Sequence, residues 1–532
     1  MANYARHYST RQTPQSEPIP GKTMVENNAG GYGFAIDDWI RLDRFLILGA
    51  EGGTYYVGEH ELTVRNAEAV RRCIESDGQR TVERIVEISE AGRAPKNDPA
   101  LFALAMCAGM GDAQTRETAL RSLSRVARIG THLFHFTKYV QGFRGWGRGL
   151  TTAAAHWYND RTPRDLAYQA LKYQARDGWS HRDVLRLCHP KPPTPEHAAI
   201  YNWITQGWAK AEGTMPQTDG TAQILAYEQL KTEPTEDHAV KLIRDCRLTR
   251  EMIPTQLLNS AKLWEALLQD MPMGAMVRSL GKMTNVGLLV PLSNAARTVS
   301  ERLRNQERIR GARLHPLSIL AAMRTYAQGK GFRGSLSWTP VGRVLDALDE
   351  AFYLSFDIVE PTGKNLMLAL DVSGSMSAPF SGSVLSCCEA ASAMAMVAAR
   401  TESQYLVTRF NRGLEPFPVT PRQRLDDVLQ HTRGVNFGGT DCALPMIWAL
   451  EHRIGIDAFI IYTDNETWAG NIHPTQALQR YREQTGYAAK LIVVGMISSG
   501  FTIADPEDAG MLDVVGFDTA APQLMSDFVR GF

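Results

Sequence analysis

Two short apolar runs, each ending directly in an acidic, hydroxyl-rich loop, constrain this chain more than anything else in it. Leu366-Met-Leu-Ala-Leu370 runs into Asp371-Val-Ser373-Gly-Ser375, and Ala458-Phe-Ile-Ile461 runs into Thr463-Asp464-Asn465. A third loop of the same kind, Gly438-Gly-Thr440-Asp441, lies between them. Short apolar runs stopped by Gly, Ser and Asp read as buried parallel strands. The spacing predicts strands over 365–370, 405–410, 458–463 and 490–496, with helices between them such as 385–400 and 474–482. That rhythm defines a doubly wound α/β domain, in which ligands bind outside the carboxyl ends of the strands.

The residues gathered there are chemically coherent. Asp371, Ser373, Ser375, Thr440 and Asp464 make an all-oxygen donor set carrying two carboxylates. It suits one hard divalent cation, Mg²⁺ above all, which keeps several waters and takes one or two carboxylates. Ser and Asp also cap helices. Capping accounts for each loop alone, but not for three compatible loops in order at strand ends. No Gly-x4-Gly-Lys-Ser/Thr loop is present, and Ser373 follows Asp-Val rather than sitting in a Gly-x-Ser-x-Gly elbow.

With 532 residues the chain is too long for one compact core. Its net charge of zero hides an asymmetry. Residues 361–532 carry 12 Lys and Arg against 18 Asp and Glu, and the remainder carries 45 against 39. The larger, basic part is therefore the better surface for an anionic partner. Seven scattered cysteines without a CxxC pair support neither a zinc site nor a disulfide framework. No apolar run reaches a membrane span, and the N-terminus lacks the apolar core of a signal peptide. These features point to a soluble, cytoplasmic protein without a membrane partner.

Residues 1–28 are polar and read as a flexible tail. From about 34 to 355 the apolar spacing is helical. Trp39, Ile40, Leu42, Phe45 and Leu46 mark one stretch; Leu101, Leu104, Ala105 and Ala108 another; Leu120, Leu123, Val126 and Ile129 a third. Leu257, Leu258, Leu263, Leu267 and Leu268 mark a later one. Over 300 residues of short helices are best folded as stacked helical hairpins, each burying its apolar face on its neighbours. No strict period is visible, and a two-domain helical globule is the alternative.

Three basic segments stand out. In Gly142-Phe-Arg144-Gly-Trp146-Gly-Arg148-Gly149, arginines alternate with aromatics, a composition that holds phosphates while rings stack on bases; it also suits a plain inter-helix loop. In 172–189, Lys172 and Arg176 lie four apart, on one face of a helix expected to end near Gly178. Ser180 with Asp183 predicts a new helix start, after which Arg182, Arg186 and His189 share a face. The third segment, Arg302, Arg304, Arg308, Arg310 and Arg313, is diluted by Glu301 and Glu307 and suits intrahelical ion pairing. Lys330-Gly-Phe-Arg333 follows it.

The five loop residues Asp371, Ser373, Ser375, Thr440 and Asp464 resemble the metal-ion-dependent adhesion site of von Willebrand factor A domains at every position. The chain from about 30 to 530 resembles the Ro ribonucleoprotein autoantigen family, and its bacterial branch in particular. The stretches that carry this include Arg44-Phe-Leu46, Gly49-Ala-Glu-Gly-Gly-Thr-Tyr-Tyr56, Gly178-Trp-Ser-His-Arg-Asp-Val-Leu-Arg-Leu187, Leu280-Gly-Lys-Met-Thr284, Glu360-Pro-Thr-Gly-Lys364 and Gly500-Phe-Thr-Ile-Ala-Asp-Pro506.

The resemblance implies a TROVE module over 29–360, a ring of HEAT-like helical pairs. A von Willebrand factor A-like, Rossmann-like domain over 361–532 would close that ring. It implies Y RNA on a basic outer surface and single-stranded 3′ ends of misfolded or precursor structured RNAs in the hole. It implies a role in RNA quality control, in bacteria linked to an exoribonuclease, by a protein that is not an enzyme and is monomeric. Family residues that contact Y RNA match Lys172, Arg176 and His189. Two other function classes compete. One is a protein-interaction scaffold whose metal site grips a partner carboxylate; the other is a nuclease, for which a single-ion site is poorly equipped.

Overall fold

The computed structural model describes residues 12–531 apart from 313, 332–334, 357–359, 425–426 and 429–437. Arg313, Arg333 and the start of the loop leading to Gly438 thus lie outside the described residues.

Residues 38 to 354 are mostly helices packed on their sequence neighbours. Their starts follow local chemistry: Asp37, Asp112, Thr162, Ser180, Thr194 and Ser293 each accept a hydrogen bond from a backbone N–H of the first turn. The long helix Glu59–Ala91 is kinked at Asp77, whose carboxylate caps Arg80 N at 2.9 Å. The stretch expected to be one helix from Leu120 to Ile129 is divided between two, Ala113–Arg121 and Leu123–Val126, and ends before Gly130–Phe143 begins. Ser122 separates the two, so the apolar spacing survives while the helix axis turns.

Strands β1 (Met24–Glu26) and β2 (Tyr32–Ala35) form an antiparallel ribbon, and β3 (Ala175–Arg176) pairs with β4 (Trp179–Ser180) in a hairpin. The C-terminal domain contributes β5 (Leu366–Asp371), β6 (Tyr405–Phe410), β7 (Leu414–Pro416), β8 (Ala458–Thr463), β9 (Lys490–Gly495), β10 (Phe501–Thr502) and β11 (Met511–Val515). Six of them make a sheet in the order β11-β9-β8-β5-β6-β7, parallel except for β7 at one edge. β10 instead adds to β2.

Both faces of this sheet are buried, which is why its strands are continuous apolar runs. Met367 and Ala369 face helices Leu444–Glu451 and Pro474–Thr485. Leu366, Leu368 and Leu370 face the other way, into a core that continues through the helical part. The two parts of the chain thus share one hydrophobic interior.

Both ends of the helical series return to the α/β domain. At the early end, Arg44 is bonded to Asp513, Arg93 to Asp518, and Ser381 Oγ donates to Leu48 O at 2.7 Å. At the late end, Arg400 meets Asp349 at 3.3 Å, Arg324 meets Glu389 at 3.5 Å, and Arg424 pairs with Asp346. The two ends also touch, through His315 and Arg93.

Residues 12–28, expected to belong to a mobile tail, are instead bound to the α/β domain. Gln15 is fully buried; its amide donates to Asp441 Oδ1 at 2.7 Å and Ile472 O at 2.8 Å. Asn27 donates to Thr467 O at 2.7 Å. Gly31 lies so close to Thr467 that a Cβ would fall 1.9 Å from its carbonyl oxygen. A polar sequence buries here because its amides satisfy loop groups that would otherwise be unpaired.

Candidate metal centre and nucleic-acid interface

Asp371 ends β5 and Asp464 follows β8, and these strands are neighbours. From β5 the sheet grows to β6 on one side and from β8 to β9 on the other, so the two residues flank the switch point of the sheet. Asp371 is fully buried and Asp464, Ser373, Ser375 and Thr440 nearly so. Asp371 Oδ1 accepts from Ser373 N at 2.9 Å, and Oδ2 from Thr463 Oγ1 at 2.7 Å. The hydroxyls of Ser373 and Ser375 are 3.2 Å apart. Thr440 is fixed through its carbonyl, which accepts from Trp468 N and Ala469 N at 3.0 Å each.

Burial, and then the charge of Asp464, pushes the Asp371 carboxyl up to about 7. Burial also raises Asp464. No Lys or Arg pairs with either carboxylate among the described residues. Glu466, held by Asn28 Nδ2 at 2.6 Å and Ala29 N at 3.1 Å, is pushed up to about 8 by burial and by Asp464. Buried negative charge without a compensating cation, ringed by hydroxyl oxygens, is the donor chemistry a divalent ion requires. Tyr56 reaches this field from the helical part: burial and the carboxylates of Asp464, Glu466 and Asp371 push its phenol up to about 12.

The basic segment at 172–189 is built differently from the sequence expectation. Helix Pro163–Lys172 stops at Lys172, so Lys172 and Arg176 do not share a helix face. Arg176 stands on the β3–β4 hairpin, whose turn residues Asp177 (φ 53°) and Gly178 (φ 81°) both have positive φ. Such a two-residue turn matches the twist of a hairpin, and Asp-Gly is among its favoured sequences. The hairpin places the Arg176 side chain, 61% exposed, beyond the end of the helix.

The next helix, His181–Cys188, begins with the predicted box. Ser180 Oγ accepts from Asp183 N, and Asp183 accepts from Ser180 N at 3.0 Å. Arg182 and Arg186 are exposed on it. His189 is not on its third turn; it is the left-handed residue that ends the helix (φ 41°), and is exposed. Both carboxylates of this segment are exposed and have local partners: Asp183 lies in the cap, and Asp177 bonds His135 Nδ1 with its other oxygen 3.7 Å from Arg176 Nε. Lys172, Arg182, Arg186 and His189 form no ion pair among the described residues, which leaves the segment predominantly cationic.

The segment 142–149 adjoins it. Arg144 ends helix Gly130–Phe143 and Arg148 starts helix Arg148–Asn159, so the connection is short. Trp146 donates to Thr151 Oγ1 at 2.9 Å and stacks on Trp179 of β4, with centroids 5.9 Å apart. The aromatic pair locks this loop to the hairpin, a relation that spacing alone did not suggest. In the third basic cluster Arg302 and Arg304 are structural, with partners on other helices. Arg302 caps the end of helix Ala261–Asp270 through Leu268 O and Gln269 O, and Arg304 forks onto Glu350 at 2.6 and 2.9 Å.

A helical module closed by an α/β domain of this topology, with Asp-x-Ser-x-Ser at its switch point, defines the combination of a TROVE module with a von Willebrand factor A domain. The TROVE domain model matches residues 25–245 and 238–325, and the Ro60 vWA domain model matches 365–529. The chain is 41% identical to the RNA-binding protein RO60 of Deinococcus radiodurans over the whole of both chains. It is 37% identical to the RNA-binding protein RO60 of Caenorhabditis elegans, over 96% of this chain and 90% of that one. The crystal structure of the Deinococcus radiodurans RO (RSR) protein superposes with a TM-score of 0.70 at 40% identity, covering 93% of this chain and all of that one. The chain belongs to the Ro60 family.

Proposed function

We propose that this protein binds RNA without acting on it chemically. In this reading, Lys172, Arg176, Arg182, Arg186 and His189, with Arg144 and Arg148 beside them, grip a small structured noncoding RNA of the Y type. Single-stranded 3′ ends of misfolded or precursor RNAs pass through the closed helical module, and the protein serves in RNA quality control and stabilisation. An exoribonuclease is the partner to which such RNAs would be handed. One Mg²⁺ is held by Asp371, Ser373, Ser375, Thr440 and Asp464, where it neutralises the buried carboxylates.

The observation that carries the reading is the exposed cationic surface at 172–189, where Lys172, Arg182, Arg186 and His189 form no ion pair among the described residues and Arg176 has only Asp177, 3.7 Å away. Cations presented without paired anions attract phosphates and release their counterions, which gives sequence-independent affinity that falls with salt. The names of the relatives, both RNA-binding proteins, point the same way. RNA recognition of this kind is by shape and free ends.

The test is a salt-titrated gel shift with a hairpin carrying a single-stranded 3′ tail and the same hairpin trimmed blunt. Tighter binding of the tailed form, with RNA left intact in Mg²⁺, is the expected result. Equal binding of the two would remove the threading role, and binding of neither would overturn the proposal.

A further inference from the structure

Asp371 and Asp464 are set side by side by the neighbouring strands β5 and β8. Thr440 has no such support. It comes well after β7 and leads into helix Leu444–Glu451, and among the described residues no strand ends at it. Its carbonyl hangs instead on Trp468 N and Ala469 N, in the segment that follows Asp464. Mg²⁺ demands near-ideal octahedral geometry, so whatever fixes that segment also decides how well the third loop can serve the ion.

The N-terminal residues grip the segment at two points. The first is the buried Gln15 amide. Its Nε2 donates to Asp441, next to Thr440, and its Oε1 accepts from Thr467 Oγ1. Thr467 Oγ1 in turn accepts from Cys442 N at 3.1 Å. Gln15 and Thr467 thus fasten residues 440–442 to residues 464–467. The fit is close: a Cβ on Gly470 would fall 2.3 Å from Gln15 Nε2 and 2.4 Å from Asp441 Oδ1. The backbone of Gln15 is held as well, its N–H donating to Gly470 O and its carbonyl accepting from Tyr32 N, each at 2.9 Å.

The second point is the turn at 27–29. Asn27 donates to Thr467 O, and Asn28 and Ala29 donate to the Glu466 carboxylate. Asn28 Oδ1 also accepts from Arg65 Nη1 at 3.1 Å, on helix Glu59–Ala91. One short stretch of chain therefore joins the metal loops to the helical module.

We infer that residues 13–35 are a strap that positions the metal centre, so that docking of the strap and binding of the ion are linked. Gln15 is the positioning residue for the Thr440 loop, and Asn28 carries the link on to the helical module. Coupling between two such events is reciprocal: the ion holds the strap down by the factor by which the strap raises ion affinity. The inference rests on the Mg²⁺ reading above and on none of the RNA contacts.

The experiment measures Mg²⁺ affinity by calorimetry on the full chain, and backbone hydrogen exchange across 13–35 with and without Mg²⁺. Four variants are compared with the unaltered protein. Gln15→Met keeps the length of the side chain and removes its bonds, and Asn28→Ala is a milder change at a half-buried site. Arg93→Met weakens the seam elsewhere, at Asp518, and Asp371→Asn removes a ligand. The dissociation constant should rise about tenfold in Gln15→Met, at the low end of the 10–100-fold seen when a group orienting a metal ligand is lost, and by less in Asn28→Ala. It should not change in Arg93→Met, however far that variant lowers stability. Saturating Mg²⁺ should slow exchange of the strap amides about tenfold in the unaltered protein.

A loss of affinity in Arg93→Met as large as in Gln15→Met would make Gln15 a general support of the fold and overturn the inference. So would strap exchange indifferent to Mg²⁺, or unchanged affinity in both Gln15→Met and Asn28→Ala; if Asp371→Asn still abolishes binding, the metal reading then stands alone. Binding that survives in Asp371→Asn, or no binding by the unaltered protein, would overturn both.

Discussion

His315 Nε2 donates to the carbonyl of Arg93 at 3.1 Å, joining two points 222 residues apart in the chain. The direction of the bond is fixed by the other ring nitrogen, which accepts from Leu317 N at 3.2 Å. The ring is therefore the neutral tautomer, and it sits where the early and late helices meet. Arg93 uses its guanidinium on Asp518, with Nε 3.0 Å from each carboxylate oxygen. One residue pair thus ties both ends of the helical module to the α/β domain.

Acid should loosen this junction together with the sites of two other buried histidines. Burial pushes His315, His181 and His132 down to about 4, from an ordinary value near 6.5. The unfolded chain takes up these protons near pH 6.5 and the folded chain resists them until about pH 4. Stability is then full above 6.5 and falls as pH drops from 6.5 toward 4, by up to about 3 kcal/mol for each histidine. Urea midpoints measured across that window should decline. His315→Gln, whose amide can make both bonds, should decline less. A flat profile for the unaltered protein would contradict this account.

Arg44 is fully buried and its Nη2 forks onto Asp513 at 2.6 and 2.7 Å, while Nη1 donates to Ser499 and to Phe501 O. Removing one partner of a buried pair leaves the other charge uncompensated. Arg44→Met should cost about 3–5 kcal/mol, read as a lower urea midpoint. A loss under about 1 kcal/mol would mean that water replaces the guanidinium.

A divalent cation should stabilise the protein through the two buried carboxylates. Mg²⁺ at about a hundred times its dissociation constant adds about 2.7 kcal/mol, visible as a higher Tm that chelation reverses. Asp371→Asn should abolish the response while melting no lower than the metal-free protein, since it removes one of two like charges. An unchanged Mg²⁺ response in that variant would place the ion elsewhere.

The hairpin makes a separable prediction for RNA. Gly178→Val forces a branched side chain to φ 81°, which should undo the turn and misplace Arg176 while leaving the helices on either side folded. Structured-RNA affinity should fall, and the salt slope should shrink by about 0.7–0.9 for each phosphate that the protein no longer neutralises. A slope equal to that of the unaltered protein would remove Arg176 from the interface.

How far the sequence could be read follows from where each residue finds its partner. β5, β6, β8 and β9 lie within a residue or so of the expected strands, because both faces of each are covered and apolar runs end at Gly or Asp. β11 escaped because Asp513 interrupts its run, and that aspartate is there for Arg44, 469 residues earlier. Two of the three candidate ligand loops were legible because they end strands β5 and β8; the 438–441 loop departs from the expectation, since it leads into helix Leu444–Glu451 well after β7. The hairpin was not legible: the four-residue spacing of Lys172 and Arg176 is also a helix repeat, and Ala175-Arg176 carries little strand propensity to mark the Asp-Gly turn as a hairpin. Gln15 looked like tail because a buried amide and a solvated one have the same sequence signature.

The ribbon of β1 and β2 waits for β10, and Gln15 waits for Gly470, which donates to it across 455 residues. A ribosome adding about 5–20 residues per second needs roughly 25–90 seconds to cover that distance. For that time the first residues of the chain lack their partners in the α/β domain. Completion of the seam therefore waits for that domain to be made. A nascent chain stalled before Phe501 would expose the very seam that the finished molecule hides, and cellular quality control could recognise it there.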